Sequence, residues 1–131
     1  MPPREENLPN MKSKAKWAKE PEKEDYSAAE TYLSLLYDKK EAAKLLKKLK
    51  AGDTCKFEAK DIFRAAGLPL LTPTDSQVKA DHEKILAGKK MSPLLLVRHA
   101  ATGRVIIVDG YHRLCAVYSI DEDSVVPCKI V

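Results

Sequence analysis

Apolar positions along the chain fall into two regimes, one with helical spacing and one with runs typical of strands. In the first, Ala29, Tyr32, Leu33 and Leu36 share a helical face behind "SAAE", where Ser27 is the expected N-cap and Glu30 its capping-box partner. A second box, Asp38 with Glu41, precedes Ala42, Leu45, Leu46 and Leu49, and Gly52 closes that helix. After Gly52 the pattern changes. "TCKF" is a short strand, and "EAKDIFRAAG" is a helix stopped by Gly67. "LPLL" is extended, because Pro69 disfavours helix in the residue before it. "TPTDSQ" offers Thr74 as N-cap, with Gln77 three residues on, for a helix running to Gly88. "PLLLV" and "RVIIV" read as strands bracketing a hairpin connection, "RHAATG"; "GYHRLCAVY" reads as a helix and "VVPCKIV" as a closing strand. The pattern predicts an α+β fold: a small mixed β-sheet with packed helices over residues 53–131, preceded by a helical extension over 27–52. Residues 1–26 combine four prolines with mixed Lys and Glu, which predicts a flexible charged arm. Trp17 stands out in it as an anchor for a partner protomer, so a homodimer through the N-terminal segment is one expectation.

Composition changes this picture little. The 131 residues suffice for one domain, and 44% hydrophobic with 32% charged residues is typical of a soluble globular chain. A net charge of +4 permits an anionic ligand without demanding one. Cys55, Cys115 and Cys128 have no metal-ligand spacing and form no even disulfide set. No apolar run approaches membrane-spanning length and the N-terminus has no signal-peptide core, so no membrane partner and a cytoplasmic location are expected. Lys39, Lys40, Lys44, Lys47, Lys48 and Lys50 crowd one helix, which is either a solvated face or a contact for nucleic acid through residues 39–50.

The candidate chemistry lies in "VIIVDGYHRLCAVY". Gly110 follows an apolar strand and opens a helix, so the free amides of the first turn, reinforced by the helix dipole, offer an anion site. Gly110 would let a ligand approach the backbone, while Tyr111, His112 and Arg113 would line the same turn. The planar fork of Arg113 suits phosphate. Asp109 could orient His112, hold a metal-bound water or bond a ligand hydroxyl. The plainer alternative makes Asp109 a turn residue, Arg113 a surface charge and His112 a half-buried hydrogen-bonded ring. On the helix after Asp75, Lys84 is a second phosphate-binding candidate and Asp81 or Glu83 a candidate base, with His82 beside the buried stripe; the alternative is an amphipathic helix with solvated charges. Cys115, between Leu114 and Ala116, reads as a small buried hydrophobe.

The succession "LPLLTPTDSQVKADHEKI", "MSPLLLV", "RVIIVDGYHRLCAVY" and "VVPCKIV" resembles the ParB/sulfiredoxin superfamily over residues 54–131. Sulfiredoxins carry a catalytic cysteine directly before the His-Arg pair; Tyr111 occupies that place here, which argues against their activity. Partition-type ParB proteins follow the box with a DNA-reading module, and the sequence given ends at Val131 just after the closing strand, so a centromere-binding role is not expected. "VDGYHR" is most similar to the box of the free-serine kinases, which implies phosphate binding by Gly110, His112 and Arg113 with Asp109 near the substrate. Their catalytic glutamate has no counterpart in "LPLLTPTDSQ", which offers only Asp75. The resemblance implies a domain that binds a phosphorylated ligand, with a nucleoside triphosphate or diphosphate and Mg2+ as the expected cofactors. Phosphoryl transfer or nucleotide hydrolysis would then involve Asp109, His112 and Asp81. The alternative is a non-catalytic DNA-associated or regulatory protein-interaction module.

Overall fold

A computed structural model describes residues 15–131. In chain order the elements are β1 (Lys16–Trp17), α1 (Lys23–Leu36), α2 (Lys39–Ala51), β2 (Cys55–Glu58), α3 (Ala59–Ala66), α4 (Ser76–Leu86), β3 (Lys90–Met91), β4 (Leu94–His99), β5 (Arg104–Asp109), α5 (Tyr111–Ile120) and β6 (Val125–Ile130). Four strands form a mixed sheet in the order β2-β6-β4-β5, with β4 parallel to β6 and the other pairs antiparallel. The fold is α+β, as the hydrophobic pattern predicts.

The near-continuous apolar run of β4 has a direct cause: both faces of the sheet are covered. Side chains alternate across a strand, so Leu94 and Leu96 enter one core while Leu95 and Val97 enter another. The first core holds Ile62 from α3, Val78 and Ile85 from α4, and Leu114 and Val117 from α5. The second holds Ala29 and Leu33 from α1 and Ala42, Leu46 and Leu49 from α2, packed on Leu95, Val97 and Val108. The helical extension expected from the sequence is thus the second wall of the sheet.

Three local expectations change. Helix α1 begins at Lys23, four residues before Ser27; its N-cap is Glu22, whose amide donates to Asp25 Oδ2 at 2.7 Å. Helix α4 is capped by Asp75 rather than Thr74, because Asp75 Oδ1 accepts from the amides of Gln77 at 2.9 Å and Val78 at 3.1 Å. From residue 15 onward the arm read over 1–26 is ordered: β1 pairs in parallel with β3, setting Trp17 opposite Met91, and Trp17 packs against the first core of its own chain. The part of that reading covering residues 1–14 lies outside the described residues. Asp38 does cap α2, accepting from the Glu41 amide at 2.8 Å.

Lys129 is the one fully buried charged side chain among the described residues. Its Nζ donates to the Lys50 carbonyl at 3.2 Å, lies 3.0 Å from Glu20 Oε1 and sits 5.7 Å from the Tyr26 ring centroid. These contacts offset the desolvation of the ammonium, and its pKa is raised in spite of burial.

Candidate functional site

The site forms where β5 turns into α5. The β4–β5 register shifts between Leu95 and Leu96, so Leu95 pairs with Asp109 at the end of β5. Such an irregularity re-aims the chain at a strand end. Gly110 then takes φ 106°, in the left-handed region, and serves as N-cap of α5 without contributing a side-chain cap. A Cβ at this position would come within 2.7 Å of Leu94 Cγ and 2.9 Å of an Arg113 guanidinium nitrogen. Glycine is therefore required by the turn and by close packing on its own chain. The expectation that it clears space for a ligand is replaced by this one.

Arg113 turns inward. Its Nε donates to the Ser92 carbonyl at 3.0 Å, and one terminal nitrogen donates to the Pro93 carbonyl at 3.4 Å and to Asp109 Oδ2 at 3.1 Å. The other terminal nitrogen lies 3.7 Å from Asp25 Oδ1. The fork expected to face phosphate is committed to the segment before β4 and to two carboxylates, all partly buried. Arg113 is thus a positioning residue. It ties α5, the β5 terminus and the first turn of α1 together.

Asp109 and Asp25 lie side by side around this guanidinium. Burial pushes the Asp109 carboxyl up from 3.8 to about 6; Arg113 pulls it down, and the neighbouring Asp25 raises it further. Asp109 therefore exchanges its proton close to neutrality, which suits a general base better than an ordinary surface carboxylate. Asp25 had no signal of function in the sequence. It sits in a charged stretch read as an arm, and only tertiary contact brings it to Arg113.

The expected residues of α4 border the same turn. Burial raises the Asp81 carboxyl, while the positive groups of Lys84, Arg113 and His112 act against that rise. Lys84 Nζ is 4.0 Å from Asp81 Oδ1 and largely exposed, so it remains available to an anion. His112 is half-buried, its ring centroid 5.5 Å from that of Tyr111. The Tyr111 hydroxyl donates to the Pro69 carbonyl, pinning the segment between α3 and α4 to the start of α5. The fold thus gathers Asp81, Lys84, Asp109, Gly110, Tyr111, His112 and Arg113 at one end of the sheet. Glu83 is exposed and His82 half-buried, and Cys115 is fully buried as read.

Among the described residues, no three His, Cys, Asp or Glu side chains converge to hold a metal ion. Asp25 and Asp109 are a pair already neutralised by Arg113, which is a poor cage for Mg2+; that ion usually needs substrate phosphates beside carboxylates. On α2, Lys39, Lys40, Lys44, Lys47, Lys48 and Lys50 are all exposed, opposite the face that packs on the sheet. No helix among the described residues is long and apolar enough to cross a membrane. No protein family, curated protein or solved structure matches the chain.

Proposed function

We propose that this chain is a ParB/sulfiredoxin-like domain that binds a phosphorylated small molecule, a nucleotide first among them, at the first turn of α5. The observation that carries the reading is Asp109. It is a carboxyl titrating at about 6, held by Arg113 at the mouth of a helix N-terminus that no side chain caps. The amides of that turn and the helix dipole attract phosphate oxygens, with His112 and Lys84 adding donors at the rim. Asp109 is placed to take the proton of an acceptor hydroxyl or water, and Arg113 fixes its orientation. Asp81 offers a second partly desolvated carboxyl beside His112. Tyr111 in the place of a cysteine supports a phosphate reading over sulfiredoxin chemistry.

The test is a thermal-shift panel of ATP, ADP, CTP and phosphate, each with and without Mg2+. A stabilising shift with at least one nucleotide is expected, lost in His112→Ala and reduced in Lys84→Ala. The absence of any shift across the panel would overturn the reading. The exposed lysines of α2 favour one rival, a nucleic-acid-associated module. Its signature would be nucleic-acid affinity falling steeply with salt, with a slope reduced by neutralising Lys44, Lys47 and Lys48.

A further inference from the structure

Two of the three cysteines meet across the sheet. In the antiparallel β2–β6 ladder Cys55 stands directly opposite Cys128, although 73 residues separate them in the chain. Directly opposed residues in such a ladder have Cα atoms about 4.5–5.5 Å apart, inside the range a disulfide needs. The sulfurs are already 3.9 Å apart, and the Cys55 thiol also lies 3.5 Å from the Cys128 carbonyl oxygen. The two differ in access. Cys55 is half-buried on β2, which among the described residues is an edge strand hydrogen-bonded only to β6, whereas Cys128 is fully buried. Burial and the adjacent Cys55 push the Cys128 thiol up to about 12, so Cys128 keeps its proton in the reduced pair.

We propose that Cys55 and Cys128 are a peroxide-reactive dithiol, with Cys55 the attacking thiol and Cys128 the resolving one. The Cys55 thiolate attacks one oxygen of a hydroperoxide; an S–O bond forms and the O–O bond breaks. The released alkoxide or hydroxide takes up the proton that Cys55 gave, and Cys55 is left as a sulfenic acid. Cys128 sulfur then attacks Cys55 sulfur, breaking the S–O bond. The leaving hydroxide departs with the Cys128 proton as water. Two thiols lose two electrons and the hydroperoxide is reduced to an alcohol, or to water where hydrogen peroxide is the oxidant, with one further water released. The product joins the edge strand β2 covalently to β6. Cys115, fully buried on α5, takes no part.

The experiment treats the full chain with hydrogen peroxide, quenches with catalase, and measures intact mass, denatured thiol content and linked peptides. The expected result is a loss of about 2 Da, a fall from three titratable thiols to one, and a Cys55–Cys128 linked peptide. Cys115→Ala should behave as the parent protein. Cys128→Ser should instead accumulate a dimedone-reactive sulfenic acid at Cys55, and Cys55→Ser should leave Cys128 reduced. Over-oxidation of Cys55 by about 32 Da without the 2 Da loss, or a linkage through Cys115, would overturn the proposal. Should either serine variant fail to fold, the peptide map of the oxidised parent protein decides by itself.

Discussion

The two faces of the sheet are built from different kinds of chain. One face is covered by α3, α4 and α5, each close in sequence to the strands it packs on. The other is covered by α1 and α2, which approach from the far N-terminal side and meet the sheet through Leu33, Leu46 and Leu49. The first face carries the turn at Gly110 and the borders of the candidate site. The second supplies only one residue to it, Asp25, but that residue sits against the same guanidinium as Asp109. A covering layer can therefore also set the electrostatics of a site on the opposite side of the sheet.

Three measurements would break or sharpen that comparison. The largest effect is expected from Arg113, the side chain shared by both faces. Arg113→Ala leaves Asp109 and Asp25 without their common partner and should cost about 3–5 kcal/mol of unfolding free energy in urea titration. A cost near zero would mean that the two layers are not coupled through it. Next, Leu49→Ala and Leu96→Ala should each cost about 2–5 kcal/mol, because each empties a fully buried position in its own core. If Leu49→Ala cost less than about 1 kcal/mol while Leu96→Ala did not, α2 would be a loose cover rather than a wall.

The smallest effect concerns pH. The Asp109 carboxyl is raised from 3.8 to about 6, so between those values the folded protein holds a proton that the unfolded chain has released. Its contribution to stability is complete below about pH 4 and is lost as pH rises through 6, up to about 3 kcal/mol in total. The stability difference between the parent protein and Asp109→Asn, followed from pH 4 to 7, should track that loss. A difference that stays flat would show that Asp109 titrates normally.

Legibility in the sequence followed the range of the interactions. The strands β4 and β5, the turn at Asp109 and Gly110, and helix α5 were readable because short apolar runs, an Asp-Gly break and helical spacing act over a few residues. The cap of α4 is legible only to within one position, since Thr74 and Asp75 are both good capping residues and only backbone geometry chooses between them. The inward turn of Arg113, the contact with Asp25 and the pairing of Cys55 with Cys128 depend on elements distant in the chain. No local spacing encodes them. The charged stretch before Ser27 misled for the same reason: Glu22 and Asp25 read as arm residues until a helix and a partner guanidinium give them work.

The start of α1 also determines where this chain tolerates shortening. Glu20 and Tyr26 attend the Lys129 ammonium, and Asp25 attends Arg113. The composition invites a cut just before Ser27, where the charged stretch ends. A protein beginning there would take one carboxylate partner from each of two interior cations at once, on two different elements. The safer boundary lies ahead of Lys16, where β1 can still lay Trp17 beside Met91.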